Sequence, residues 1–373
     1  MQITVDKNFS ACIDAVSSII KDNTSLPILK CLQIQSAQNS LKIYATDLEF
    51  SIHCHYPYNA LIPEDFSAII PGAKFKNIIA AIGAGSEIEL KSTDKYFQIT
   101  SSNGEYQLAT DFAFYDYPFA EAKEVLFEFD LSAQELKNAL NAVEFCAGQT
   151  DFRPALNAVY FDFSDYDLNI VATNGHKLGL YALIGKCLED TSLISKNFSV
   201  PIKFIPILRK YLPLGTVKVQ VAENEVTFEV GNIKIGTRLI SSAFPNYQAV
   251  IPNTSLDHSY QLDTNAIVSA LRRLNAILDN QKKTSSVKFQ FQDNKLILTT
   301  EMTTGNSGKE VIQLDGDYID GMTALNIDYI LKTALKITET NFELQFTDIT
   351  TAVRIDTTID GYPVIYIIMP VRL

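Results

Sequence analysis

The sequence predicts an α+β chain made of three copies of one unit, each with helices on one face of antiparallel sheet. Two observations carry that reading. The same succession of signals returns three times, at a spacing close to 127 residues: an alternating strand, an amphipathic helix, a strand closing on Thr, a second helix, an aromatic–Pro pair. Between the helices the hydrophobic period switches from helical to twofold, broken by Asn and Gly turns.

The rounds begin at Ile3-Thr4-Val5-Asp6, Phe127-Glu128-Phe129-Asp130 and Tyr260-Gln261-Leu262-Asp263. A first helix follows in each. Over 8–22, Phe9, Cys12, Ile13, Val16, Ile19 and Ile20 recur at helical spacing. Over 132–146, Ser132-Ala133-Gln134-Glu135 reads as a capping box ahead of Leu136, Leu140 and Val143. Over 264–283, Ile267, Leu271, Leu274 and Leu278 share a face. The corner Thr falls at Thr46, Thr173 and Thr300, evenly spaced. Second helices are expected at 71–82 (Phe75, Ile78, Ile79, Ile82), 201–212 (Phe204, Ile205, Leu208, Leu212) and 326–337 (Ile327, Ile330, Leu331, Ala334). Period-two strands over 218–229 and 287–299 would turn at Glu223-Asn224-Glu225 and Asp293-Asn294. The closing pairs are Tyr117-Pro118, Phe244-Pro245 and Tyr362-Pro363. Each unit should therefore hold two helices and about eight strands. Domains are expected at 1–124, 125–254 and 255–373, with polar breaks near 122–126 and 253–258.

A length of 373 residues suits two or three domains, and 47% hydrophobic content is ample for their cores. Apolar runs such as 364–369 fall far short of the ~20 residues of a membrane helix. The start, Met1-Gln2-Ile3-Thr4-Val5, has neither a basic region nor an apolar signal core. A cytoplasmic location is expected, with no membrane partner. The five Cys are scattered without CxxC spacing and are expected as small buried hydrophobes. In His53-Cys54-His55 both His would share one face of a strand, but further ligands are not nearby, so no metal is expected.

The net charge of −12 argues against a nucleic-acid partner, whereas its distribution argues for one. The six helical segments together carry +7, which leaves −19 for strands and loops. If three equivalent units bring their helices to one side, a basic lining forms within an acidic body. Such a lining holds a polyanion by its phosphates and leaves sequence unread. No zinc finger, RNP signature or Trp accompanies it.

Catalytic motifs are missing, and no cofactor is expected. The Gly-Lys pairs at 185–186 and 308–309 lack the rest of a P-loop, and no GxSxG, HExxH or GxGxxG occurs. His176, in Thr173-Asn174-Gly175-His176-Lys177-Leu178, has no identifiable nucleophile or orienting carboxylate, so it reads as a loop residue. The end of the chain is apolar instead of frayed. Residues 364–368 read as a strand, and Met369, Pro370, Val371 and Leu373 are candidates for the wall of a partner groove. On these residues alone, a repeat-built scaffold that binds peptides but never DNA is the alternative to a DNA-holding protein.

Four stretches in order resemble the bacterial DNA polymerase III beta subunit, the replicative sliding clamp family. They are Ser25-Leu26-Pro27-Ile28-Leu29, the 173–178 loop, Phe244-Pro245-Asn246-Tyr247 with Val250 and Pro252, and Met369-Pro370-Val371-Arg372-Leu373. The resemblance implies the DNA-clamp fold: three domains per chain, helices inside and antiparallel sheets outside, in a head-to-tail ring dimer around double-stranded DNA. It implies a processivity factor, not an enzyme, that a clamp loader opens and that tethers the DNA polymerase III catalytic subunit and other clamp-motif proteins. The partner cleft carries over to Leu156, Thr173, Gly175, His176, Lys177, Leu178, Pro245, Val250, Ile367, Met369, Pro370, Val371 and Arg372, with Asn326 and Tyr329 at its rim. DNA-facing positions would be Lys74, Lys76, Gln149, Lys203, Arg209, Lys210, Arg272, Arg273, Lys332 and Lys336. The subunit contact would join Tyr106 and Leu108 to Ile277 and Leu278. The chain departs from the family pattern in nearly uncharged boundary segments at 101–105 and 302–306, in Pro154-Ala155 where aromatics are common, in Ala249 before Val250, and in Ile202, with Lys203 following.

Overall fold

Each repeat follows one order: a strand, a helix, four strands, a second helix, three strands. In the first, β1 (Gln2–Thr4) leads into α1 (Lys7–Ser17), then β2 (Cys31–Ala37), β3 (Ser40–Thr46), β4 (Phe50–Pro57) and β5 (Ser67–Pro71). Helix α2 (Gly72–Ile82) precedes β6 (Glu87–Ser92), β7 (Tyr96–Ser101) and β8 (Gly104–Ala109). The second has β9 (Phe127–Ser132), α3 (Ala133–Val143), β10 (Ala158–Ser164), β11 (Asp167–Thr173), β12 (Lys177–Leu183) and β13 (Asn197–Pro201). It ends with α4 (Ile205–Lys210), β14 (Thr216–Val221), β15 (Glu225–Val230) and β16 (Ile233–Arg238). The third has β17 (His258–Asp263), α5 (Thr264–Ala276), β18 (Ser286–Gln292), β19 (Lys295–Glu301), β20 (Ser307–Gln313) and β21 (Gly321–Asn326). It closes with α6 (Ile327–Ala334), β22 (Asn341–Phe346), β23 (Val353–Ile359) and β24 (Tyr362–Ile368). The expected two helices and eight strands per unit are all there.

The computed structural model describes residues 1–373 apart from 38–39, 58–65, 94, 119–122, 187–189, 213, 253–255, 279–285, 302–304, 317 and 372–373. Arg372, Leu373, Cys187, most of Met302–Asn306, the last residues of the helix expected over 264–283, and parts of both expected domain breaks lie outside them. Among the described residues no helix is long and apolar enough to cross a membrane.

The chain forms two compact units that cut across the middle repeat. The first comprises residues 1–134 and 206–239. Its eight-stranded sheet runs β5-β2-β3-β4-β16-β15-β14-β9, joined at the β4–β16 pair, beside a four-stranded sheet β1-β6-β7-β8. Helices α1 and α2 pack on each other, and α1 lies over β3 and β4. Phe9, Ile13 and Val16 from α1 and Phe75 and Ile79 from α2 are buried, as their spacing predicts. Cys12 on α1 faces Cys54 on β4, and the two form a disulfide. This corrects the expectation of separate buried thiols; Cys31 and Cys146 are free and buried. His53 and His55 share the opposite face of β4, where His53 packs on Tyr44 with ring centroids 4.2 Å apart.

The second unit comprises residues 135–205 and 240–373. Its eight-stranded sheet runs β13-β10-β11-β12-β24-β23-β22-β17, joined at β12–β24, beside a four-stranded sheet β20-β19-β18-β21. Helices α5 and α6 pack together, with Ile267, Leu271, Leu274, Ile327 and Ile330 buried. The β18–β19 hairpin turns at Asp293 and Asn294, both in the left-handed region at φ 51° and 55°, as a two-residue turn requires.

Helices end earlier than their periodicity suggests. The last turn of α1 closes at Ser18, whose hydroxyl donates to the Ala15 carbonyl at 2.7 Å, and Ile19 is buried from the turn beyond. The third aromatic–Pro pair is not equivalent to the others. Tyr362 and Pro363 open strand β24, whereas Tyr117 and Phe244 follow the last strands β8 and β16.

Candidate functional site

The β11–β12 turn builds the corner of the site. Thr173 donates from Oγ1 to the Lys177 carbonyl at 2.7 Å, and the same oxygen accepts from the Gly175 amide at 3.1 Å. Asn174 Oδ1 accepts from the amides of His176 (2.9 Å) and Lys177 (3.0 Å). These side chains satisfy backbone groups that the turn would otherwise leave to water. Gly175 lies at φ +85°, and a Cβ there would also sit 3.3 Å from the Arg153 guanidinium. One strand over, Leu178 is paired with Ile367, and the Met369 amide donates to the His176 carbonyl at 2.8 Å. The start of β12 and the end of β24 are thus held as one rigid lip.

A cavity of about 580 Å³ opens on this corner. Leu156, Leu178 and Ile367 form a buried floor over a cluster containing Val171, Leu180 and Tyr247. Thr173, Gly175, His176, Lys177 and Pro245 also line it. In its walls stand Val250 and Met369, apolar yet 52% and 44% exposed. Covering such side chains yields roughly 25 cal/mol per Å² of apolar surface, so the cavity rewards an apolar guest. The support beneath is fixed: the Tyr247 hydroxyl donates to Asp162 Oδ2 at 2.7 Å, and Phe244 stacks on Tyr160 with centroids 4.5 Å apart. Burial, then that carboxylate, push the Tyr247 phenol above its ordinary range. Arg354 on β23 pairs with Asp356 and donates to the Pro252 carbonyl at 2.8 Å, which pins the segment carrying Val250.

Lys177 lines the cavity, but its ammonium lies over the rings of Phe145 (4.9 Å) and Tyr329 (4.5 Å), and burial lowers its pKa. Four positions carried over to the cleft or its rim do not line it. Asn326 is the buried N-cap of α6 and accepts from the amides of Asp328 and Tyr329. The Tyr329 hydroxyl accepts from Asn174 Nδ2 at 3.5 Å. Pro370 and Val371 leave the cavity because the chain turns toward β21, where the Val371 amide donates to the Ala324 carbonyl at 2.8 Å. Arg372 lies outside the described residues. The cavity also takes Phe152, Arg153, Ser242, Ala243, Asn246 and Tyr247, which sequence reasoning did not assign to it. The signal available was the charged and aromatic step Asp151-Phe152-Arg153 just before Leu156.

The positions expected to face DNA are mostly on the helices, but several are neutralised. Lys76 pairs with Asp14 at 3.1 Å, Arg273 with Glu310 at 2.7 Å and Lys332 with Asp328 at 2.8 Å. Lys336 lies 6.0 Å from the Phe145 ring centroid, and Lys210 lies over Tyr211. Lys74, Lys203 and Arg272 are exposed with no acidic partner among the described residues, and Gln149 is exposed beyond α3. Arg209 ends α4. Exposed pairs of this kind are worth little in stability.

Tyr106 and Leu108 lie on β8, an edge strand; Tyr106 is exposed and Leu108 buried. Ile277 and Leu278 follow α5, which packs on the edge strand β20. Ile277 closes over Gly308 of β20 so tightly that a Cβ there would lie 2.6 Å from its Cδ1. Among the described residues no group of three or more His, Cys, Asp or Glu could hold a metal.

Known proteins resemble the chain along nearly its whole length. Sequence models of the DNA polymerase III beta subunit match as N-terminal domain over residues 1–121, central domain over 130–246 and C-terminal domain over 248–372. The Beta sliding clamp of Escherichia coli (strain K12) is 26% identical over 379 residues, covering 100% of both chains. That of Vibrio cholerae is 25% identical over 378 residues with the same coverage. The solved DNA polymerase III subunit beta from Pseudomonas aeruginosa superposes with a TM-score of 0.93 at 20% identity, over 100% of each chain. A DnaN sliding clamp from Bartonella birtlesii bound to griselimycin gives 0.87 at 23%, again over 100% of each.

Proposed function

The chain belongs to the DNA polymerase III beta subunit family, the bacterial sliding clamps, and from that premise we propose how its parts divide the work. It is a processivity factor with no chemistry of its own, which encircles duplex DNA and tethers the replicative polymerase. The cavity at the Thr173 corner is the docking cleft for a short apolar and aromatic segment of its partners. The observation that carries this is a buried apolar floor on a hydrogen-bonded corner, with Val250 and Met369 left exposed beside it.

Ring closure is supported by the way repeats join. In each eight-stranded sheet, the third of one repeat's four consecutive strands pairs with the last strand of the next repeat: β4 with β16, β12 with β24. Strands β20 and β8 hold the corresponding positions, and each is the edge of its sheet. Pairing β20 of one copy with β8 of another extends the same rule and closes a head-to-tail dimer of six domains. Tyr106, Leu108, Ile277 and Leu278 would then meet at the seam. Domains at 1–124, 125–254 and 255–373 suit this count. Lys74, Lys203 and Arg272, with the paired cations around them, would face the phosphates. Enclosure keeps a tethered polymerase at high local concentration, so its dissociation does not end synthesis. A ring needs a separate ATP-driven loader to open it, and a replication role puts the protein in the cytoplasm.

The test is topological. Loaded onto nicked circular DNA with a loader and ATP, the protein should survive a salt wash and be released when the circle is cut. Equal retention on circular and linear DNA would refute encirclement.

A further inference from the structure

Cys12 on α1 and Cys54 on β4 are buried, and their Cα atoms stand 5.7 Å apart, within the span a disulfide bridges. Asn232, in the turn between β15 and β16, donates from Nδ2 to both sulfurs, at 3.4 Å to Cys12 Sγ and 3.6 Å to Cys54 Sγ. Its carbonyl accepts from the His55 amide at 2.8 Å. The bond therefore fastens the first helix to the strand where the first and middle repeats join, β4 on β16. The other described cysteines are single. Burial, then Asp111, push the Cys31 thiol up to about 11, and burial pushes that of Cys146 up to about 12, so both stay protonated and unreactive.

A route leads to the pair. Asn232 lines a cavity of about 540 Å³ with His55 and Lys234, which brings small solutes within one residue of the sulfurs. A protein that works on DNA in the cytoplasm is bathed in thiols, and disulfides found there are mostly transient. We infer that Cys12 and Cys54 form a redox modification site, a dithiol under reducing conditions that closes to the disulfide when peroxide rises and so locks α1 onto β4. This takes only the compartment from the clamp reading above. One thiolate attacks a peroxide oxygen, the O–O bond breaks, and a sulfenic acid and water result. The second thiol attacks that sulfur, S–S forms, S–O breaks, and a second water leaves. The two sulfurs together lose two electrons, and hydrogen peroxide is reduced to two waters that carry the thiol protons. Two glutathione thiols reverse the step by exchange and leave as their own disulfide.

The full-length protein is held in reduced glutathione, then exposed to hydrogen peroxide, then returned to glutathione. Samples from each stage are denatured in an alkylating reagent and mapped by mass spectrometry. Cys12 and Cys54 should be alkylated at the first and last stages and linked to each other at the second. Closing that loop should also slow backbone hydrogen exchange in α1 and β4 at least about tenfold. Cys12→Ser and Cys54→Ser should each abolish both the link and the slowing, whereas Cys31→Ser should keep them. A bond that survives glutathione marks a permanent bridge and overturns the inference. Thiols that never link under peroxide overturn it too, as does a link that leaves exchange unchanged. Release from cut circles tests the clamp reading separately, since a protein that fails there can still pass here.

Discussion

At Thr46 in the first unit and at Thr173 in the second, the chain makes the same turn with the same bonds, yet only the second turn opens onto an apolar floor. Thr46 Oγ1 donates to the Phe50 carbonyl at 2.8 Å and accepts from the Leu48 amide at 3.0 Å. Asp47 Oδ1 accepts from the amides of Glu49 and Phe50, as Asn174 does for His176 and Lys177. The Arg238 amide donates to the Glu49 carbonyl, as Met369 does to His176. Leu48 takes the left-handed conformation at φ 74° that Gly175 takes at 85°. The backbone is thus the same device twice, and the side chains part company. Where the second corner has Leu178 paired with Ile367, the first has Ser51 paired with Gly236; where it has Met369, the first has Arg238. The first cavity is smaller, about 340 Å³, and its lining includes Glu49, Arg238 and the Lys123–Glu225 ion pair. Repetition supplies the scaffold, and a few apolar exchanges give one copy the apolar floor of the proposed docking cleft.

Tests that exchange residues between the corners should sharpen this contrast. The largest effect is expected from Leu178→Ser with Ile367→Gly, which gives the second corner the floor of the first. Losing two buried side chains should cost on the order of 4–10 kcal/mol of stability and abolish peptide binding, read by thermal melting and anisotropy. A variant that still binds would sever the link between floor and function. Next, Gly175→Leu copies Leu48 but places a side chain against Arg153. It should lower stability by about 1–2 kcal/mol and reduce peptide affinity by more than that strain alone explains. Met369→Arg copies Arg238 at an exposed position. It should leave the melting temperature unchanged and weaken an apolar peptide by roughly tenfold, the effect of a charge set in a hydrophobic wall.

A smaller difference concerns protons in the first unit. His53 is held neutral, its pKa pushed down to about 4, chiefly by burial and then by Lys234, His55 and Lys42. Unfolded, it takes up a proton near 6.5, so this contribution is full above that pH and is lost as pH falls toward 4. Acidification across that window should therefore destabilise the first unit by up to about 3 kcal/mol, and His53→Phe should flatten the slope. The smallest effect is expected on the basic helices. Arg272→Ala should lower the salt-dependence exponent of DNA binding by about one, and Lys332→Ala by less, because Asp328 already accompanies Lys332.

Much of the frame was legible because it rests on local pattern. The even spacing of Thr46 and Thr173 located two corners of identical geometry, and the helical stripes of α1, α2, α5 and α6 named residues that are buried. At the third mark Thr300 donates to the Ser286 carbonyl across a strand pair, and residues 302–304, which would complete its turn, lie outside the described residues. A resemblance placed Leu156, Thr173, Gly175, His176, Lys177, Leu178, Pro245, Val250, Ile367 and Met369, all of which line the cavity, but also Pro370 and Val371, which the chain carries away toward β21. Phe152 and Arg153 escaped notice because exposure beside a cavity is not a property of any residue type.

The sequence by itself determined the repeat, the order of elements and the faces they bury, since period and turn chemistry act over a few residues. Only the tertiary structure decided that Cys12 meets Cys54, that Arg273 is already paired with Glu310, and that β12 joins β24 to set Ile367 and Met369 beside Leu178. These are meetings of residues far apart in the chain, fixed by which sheet edges pair, and no local pattern encodes that choice.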